Sequence, residues 1–290
     1  MASVAQIRSQ YQSRKSHGST KAVARRPRHH DLEDQVATLK REHDDLRRAM
    51  YEAAQVQRRL CGPRHFRTGS YEFAGEIFPV RHLSGDFISL LQLDGDLVFA
   101  IGDIAGKGLM AAMWFTQMIG IIRRQMTILG DPAATLSSVN RDLLLTDFEV
   151  PLTTVFLARL KPESGKLTYC NAGHPPALLV RENNEVQELR TGGPVLGAVF
   201  SGAFENGSAS MSPGNTLLAY SDGIPECRNE SGIEFGATRL MNTVRAFSGV
   251  KPGHMLLSVL TAIENFAGRQ HREDDVAVTV LHRFSSCKMD

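Results

Sequence analysis

Cysteine is scarce in this 290-residue chain and never clustered: Cys61, Cys170, Cys227 and Cys287 are scattered, with no Cys-x-x-Cys pair. This excludes a thiolate zinc knot, and with no secretory apolar segment upstream it points to a reducing, cytoplasmic setting. Long apolar runs are also missing. The best candidate, residues 109–122, is broken by Thr116 and Gln117 and followed by Arg123 and Arg124. It falls short of the roughly 20 residues that cross a bilayer, so no membrane span is expected. Overall charge imbalance is absent too, since 33 Lys and Arg against 31 Asp and Glu leave a net +2. That balance argues against a nucleic-acid partner unless basic residues cluster locally.

One local cluster exists. Residues 1–30 hold Arg8, Arg14, Lys15, Lys21, Arg25, Arg26 and Arg28 and no acid at all. With little apolar periodicity, the stretch reads as a disordered basic tail. The same composition fits a transit peptide or a phosphate-contacting arm.

What is present begins with a heptad. Leu32, Val36, Leu39, His43, Leu46, Met50, Ala53, Gln57 and Leu60 recur at alternating spacings of four and three. Such a seam predicts a coiled-coil helix, roughly 43 Å long at 1.5 Å per residue, and a homodimer through 32–60. His43 and Gln57 at seam positions weaken it while fixing register. Cys61-Gly62-Pro63 then stops the helix. The domain plan is therefore a tail at 1–30, a coiled-coil or linker helix at 31–62, and a folded domain at 63–290. A composition of 42% hydrophobic and 22% charged residues suits a sizeable core.

Within that domain, 71–80 reads as a strand, and 87–93 pairs with 97–102 as a hairpin about the turn Asp94-Gly95. A core helix follows over 109–125, and Asp131-Pro132 starts another. Strands are predicted at 153–160, 167–170, 177–180, 217–220 and 276–281, and helices at 236–247 and 254–266. Strand runs separated by helix pairs favour an α+β fold with antiparallel sheets and helices outside. His174, in the turn 171–176, is expected to be a hydrogen-bonded structural group rather than a ligand.

The chemistry lies in the acids. Ser84-Gly85-Asp86-Phe87 and Gly102-Asp103-Ile104-Ala105-Gly106-Lys107-Gly108 flank the hairpin, Ser221-Asp222-Gly223 follows one short apolar strand, and Glu273-Asp274-Asp275 precedes another. A phosphate-binding P-loop is excluded at 102–107, because only three residues separate Gly102 from Gly106-Lys107 and no Ser or Thr follows. Carboxylates gathered beside buried strands need cations. Oxygen ligands without His or Cys select magnesium or manganese over zinc. Two such ions can hold a hydroxide and stabilise in-line displacement at phosphorus, so the residues point to two-metal phosphoester chemistry.

From about residue 53 to the end the chain resembles the bacterial branch of the metal-dependent (PPM-type) serine/threonine protein phosphatases, including the stage II sporulation and sigma-factor regulatory phosphatases. The matching pieces, in order, are 57–63, 83–87, 102–108, 171–176, 221–223 and 272–276. The resemblance implies a sandwich of two antiparallel sheets flanked by helices. It implies Asp86, Asp103, Asp222 and Asp274 as catalytic metal ligands, the Ile104 carbonyl as a backbone ligand, and Asp275 as a further metal position. Two Mn2+ or Mg2+ ions are expected. The implied substrate is a phosphoserine or phosphothreonine on an anti-anti-sigma-type regulator, with a signal arriving through the N-terminal coiled coil. The alternative is a catalytically weak, dimeric partner-binding module of the same fold. No arginine stands out as a phosphate clamp.

Overall fold

The computed structural model describes residues 29–147, 149–200 and 203–285; the basic 1–28 stretch lies outside them. Helix α1 spans His29–Leu60. The strands are β1 (His65–Thr68), β2 (Tyr71–Phe78), β3 (Phe87–Leu93), β4 (Asp96–Ile104), β5 (Thr153–Lys161), β6 (Lys166–Ala172), β7 (Ala177–Val180), β8 (Val186–Leu189), β9 (Gly192–Gly193), β10 (Gly207–Ser210), β11 (Thr216–Tyr220) and β12 (Val276–Arg283). Helices α2 (Leu109–Leu129) and α3 (Pro132–Leu144) follow β4, while α4 (Gly236–Ala246) and α5 (Pro252–Ala267) follow β11. One sheet runs β1-β2-β12-β11-β7-β8 and the other β10-β6-β5-β4-β3, antiparallel except for β9, which pairs parallel with β6.

The α+β sandwich expected from the sequence is the one observed. Strand β4 is apolar on both faces because it sits between two layers. Phe99 and Ile101 face the opposite sheet, and Val98 and Ala100 face Phe115 and Met118 of α2. Across the sandwich Phe73 meets Phe99 with ring centroids 6.3 Å apart, and within its own sheet Phe99 meets Phe156 on β5 at 6.2 Å. Each such ring, buried, contributes on the order of 1.5–3 kcal/mol. On the far side, Leu240 and Val244 of α4 and Val259 and Ile263 of α5 cover Leu218, Val278 and Val280.

Local chemistry sets the joints. Asp94 and Gly95 have φ of 51° and 85°, the paired left-handed conformations of a tight hairpin turn. Asp131 caps α3 by accepting from the Ala134 N–H at 2.8 Å, with Pro132 in the first turn. Four short strands, β1, β8, β9 and β10, were not expected from the sequence. Gly-Ser-Ala-Ser in β10 carries almost no apolar pattern and forms only because β6 offers an edge. Strand β4 also runs further than expected: pairing with β5 continues through Asp103↔Thr154 and Ile104↔Thr153. Asp103 therefore still pairs with β5, although pairing with β3 stops at Gly102.

Two bodies divide the chain, with the second beginning at Arg48. In the first, Leu32, Val36, Leu39 and Leu46 are exposed. In the second, Gln57 is buried, its Nε2 donating to the Ser84 carbonyl at 3.0 Å and its Oε1 accepting from the Ser84 N–H at 3.2 Å. Gln57 is thus not a seam position, as the heptad suggested. The four-three spacing serves the domain surface at this end of the helix. Among the described residues no helix is long and apolar enough to cross a membrane.

Candidate metal centre

The register of each hairpin decides where the acids go. Because Phe87 pairs with Gly102, the residues just outside that pair, Asp86 and Asp103, come together at one end of the sheet. Pairing of Tyr220 with Val278 does the same for Asp222 and the 274–275 pair on the other sheet. One bond then joins the two ends: the Ser221 hydroxyl donates to Asp86 Oδ2 at 2.7 Å while accepting from the Ala277 N–H at 2.8 Å.

Close backbone approach makes this possible. A side chain at Gly223 would place Cβ 1.9 Å from the Asp275 carbonyl oxygen, and one at Gly85 would lie 2.9 Å from the Ile104 carbonyl oxygen. Gly223→Ala is expected to push the 273–275 loop off the β11 end and cost about 1–3 kcal/mol, read as a lower urea midpoint with an unchanged m-value.

Electrostatically the cluster is under load. Asp86 is 2% exposed, and burial, followed by the Asp103 charge, raises its pKa well above the carboxylate range despite the Ser221 hydrogen bond. Asp103 is pushed up to about 6 by burial first and then by Asp222, Asp274 and Asp275, although its hydrogen bond with Asp86 opposes the shift. Asp222 is raised by burial and by Asp274, with Lys107 pulling the other way. Five aspartates from four segments therefore share one field.

Asp275 and Asp274 are engaged differently from the others. Asp275 Oδ1 accepts from the Val80 N–H at 2.7 Å, and its Oδ2 accepts from the Ser84 hydroxyl and the Gly85 N–H, each at 2.9 Å. It holds the segment that carries Asp86. Asp274 Oδ2 faces Lys107 Nζ at 3.3 Å, and the same ammonium donates to the Glu273 carbonyl at 2.8 Å. As they stand, no three acidic, imidazole or thiol groups among the described residues converge as a ready cation cage. The donor set nonetheless suits a hard divalent cation: it is oxygen only, and Asp86, Asp103 and Asp222 are held at raised pKa by burial and then by neighbouring carboxylates, a load that added positive charge relieves.

His174 is structural, as expected. It is fully enclosed, with burial lowering its pKa to about 3. Its Nδ1 meets the Thr154 hydroxyl at 2.8 Å, and its backbone exchanges two hydrogen bonds with the Asn171 amide. Sequence reasoning missed Gln57, Ser84 and Ser221 as site-positioning groups; their signal was proximity to the acids, in Ser84-Gly85-Asp86 and Ser221-Asp222.

The family model described as stage II sporulation protein E (SpoIIE) matches residues 93–284. The chain belongs to the SpoIIE family. That match spans the positions of Asp103, Asp222, Asp274 and Asp275 and begins after Asp86, which the hairpin register brings beside Asp103. Among curated relatives, the phosphoserine phosphatase RsbU of Bacillus subtilis is 26% identical over 201 residues, covering 68% of this chain and 59% of that one. Protein IcfG of Synechocystis is 28% identical over 196 residues, covering 58% of this chain and 31% of that one. The chain thus spans less than two thirds of the length of either. Among solved structures, the SiaA-PP2C domain of Pseudomonas aeruginosa superposes with a TM-score of 0.73 at 19% identity, covering 84% of this chain and 99% of that domain. The latter likeness shows the fold, so the domain of this SpoIIE-family chain has the PP2C phosphatase fold.

Proposed function

We propose that this chain is a metal-dependent protein serine/threonine phosphatase that hydrolyses phosphoserine or phosphothreonine on a regulatory protein of the anti-anti-sigma kind. The observation that carries this reading is the gathering of Asp86, Asp103 and Asp222, each with a raised pKa and each within the field of the neighbouring aspartates, at one end of the sandwich. Asp86, Asp103, Asp222 and Asp274, with the Ile104 carbonyl, are the groups that would hold two Mn2+ or Mg2+ ions. Bound there, such ions would activate water near neutral pH and neutralise a phosphoryl group. The protein's own contribution is positional. Ser221 fixes the Asp86 carboxylate, and Asp275 and Gln57 pin the Ser84-Gly85 backbone beside it. Asp275, with its oxygens turned to 80–85, serves this reading better as a positioning group than as a ligand.

Support for a phosphoprotein substrate comes from the family and from RsbU, named a phosphoserine phosphatase. The exposed apolar positions Leu32, Val36, Leu39 and Leu46 support a dimer through the 32–60 helix. The Gln57 clamp at the other end of that helix supports signalling through it. A cytoplasmic location accords with the scattered cysteines. The test is hydrolysis of a phosphoserine peptide with manganese and with chelator. Turnover that requires manganese is expected. A folded, manganese-loaded protein that releases no phosphate from peptides or from small aryl phosphates would point to the partner-binding module instead.

A further inference from the structure

A cleft of about 250 Å³ opens beside the aspartate cluster, and its charged lining includes Lys107, Arg228, Arg272, Glu226 and Asp274. A phosphoryl dianion entering it would meet carboxylates on one side, and a cation of the chain facing it would add to the neutralisation that bound metal ions supply. The candidates differ in what they already hold. Arg228 is ion-paired with Glu234 at 2.7 Å, and the Arg272 guanidinium stands 5.7 Å over the Phe78 ring. Lys107 alone of the three is paired with an expected metal ligand, at 3.3 Å from Asp274 Oδ2.

That pairing has a consequence. The Lys107 ammonium and a divalent cation seek the same carboxylate, and the divalent ion carries the greater charge. Lys107 stands between Gly106 and Gly108, with φ of 111° and 84°, on the loop that leaves the Asp103 strand. Its side chain is half exposed and crosses to the 273–274 loop. Four methylene torsions let the ammonium move without the backbone.

We infer that Lys107 is a positioning residue with two successive partners: it holds Asp274 before the divalent ion binds, then turns to an oxygen of the phosphoryl group in the adjoining cleft. This deepens the phosphatase reading and rests on it. It also fills the place of the missing arginine clamp, with a cation whose present partner is the one the metal claims.

The experiment compares wild type, Lys107→Ala and Lys107→Arg. Calorimetric titration of the metal-free proteins with Mn2+ should show Lys107→Ala binding about 2–5-fold more tightly than wild type, the range expected from losing an exposed competing ion pair. In the manganese-loaded proteins, Ki for inorganic phosphate and KM for a small aryl phosphate should rise together about tenfold in Lys107→Ala, with kcat changing less. Lys107→Arg should restore both. Weaker Mn2+ binding in Lys107→Ala would mean that Lys107 merely braces the 273–274 loop, and would overturn the proposal. Unchanged phosphate inhibition alongside tighter Mn2+ binding would remove the second partner and overturn it as well. If wild type binds Mn2+ but releases no phosphate, the phosphatase reading itself has failed. Direct calorimetry of inorganic phosphate on the loaded proteins then still decides for or against Lys107.

Discussion

Asp103→Asn is expected to abolish manganese-dependent hydrolysis while making the metal-free protein harder to melt. The two effects share one cause. Asp103 is half-buried among Asp86, Asp222, Asp274 and Asp275 and is pushed up to about 6, so its ionised form is disfavoured in the folded state. A carboxylate with a raised folded-state pKa contributes stability below its unfolded value, near 4. That contribution is lost as pH rises through about 6. Above pH 7 the ionised Asp103 therefore costs on the order of 3 kcal/mol, at about 1.4 kcal/mol per pKa unit. Asn removes that charge and eases the burden on Asp86 as well.

With chelator present at pH 7.5, scanning calorimetry should find Asp103→Asn melting roughly 6–12 °C above wild type, given about 2–4 °C per kcal/mol for a domain of this size. At pH 4.5 the gap should shrink. Added Mn2+ should reverse the order, because the wild type gains a ligand-dependent stabilisation that the variant lacks. Turnover should fall at least about 100-fold, beyond the roughly 10–100-fold cost of losing a ligand's hydrogen-bond partner. A variant that melts lower than wild type in chelator would show that Asp103 is satisfied without a cation, and the metal centre would have to be placed elsewhere.

The asymmetry between what was readable in the sequence and what was not follows from range. Asp86 and Asp103 are joined by a hairpin whose turn, Asp94-Gly95, fixes the register, so their meeting was legible from a short window. Their meeting with Asp222 was not. It depends on β12 lying between β2 and β11 and on the Ser221 to Asp86 bond, which spans 135 positions. No local pattern encodes such a distance; only the recurrence of acids at strand mouths hinted at it. Strands buried on both faces, such as β4, β11 and β12, announced themselves by apolar content. The edge strands β1 and β10 did not, because an edge needs hydrogen-bond partners more than it needs a core. Gln57 misled for a related reason, since one helical periodicity serves a seam and a domain face equally well, and only the buried Ser84 backbone tells them apart.

That clamp leads to the second large effect. Gln57→Ala removes both partners of the Ser84 N–H and carbonyl, two residues before Asp86, and leaves those buried groups unsatisfied at about 1–3 kcal/mol each. The backbone carrying Asp86 is then free to shift, and phosphatase turnover should fall roughly 10–100-fold, as for other groups that orient a metal ligand. Leu39→Asp with Leu46→Asp should abolish dimerisation by placing unpaired charges in an apolar seam, seen as a monomer by sedimentation at micromolar concentration. If the helix signals through its far end, that monomer should alter turnover on a phosphoprotein only while Gln57 is present. Combined with Gln57→Ala, the seam substitutions should add nothing further. A double-mutant cycle measures this: strong non-additivity places the seam and Asp86 on one two-state element. Simple additivity of the two effects, in variants that bind Mn2+ and stay folded, would mean that the helix reaches the site by another route, and a wild-type monomer would remove the dimer altogether.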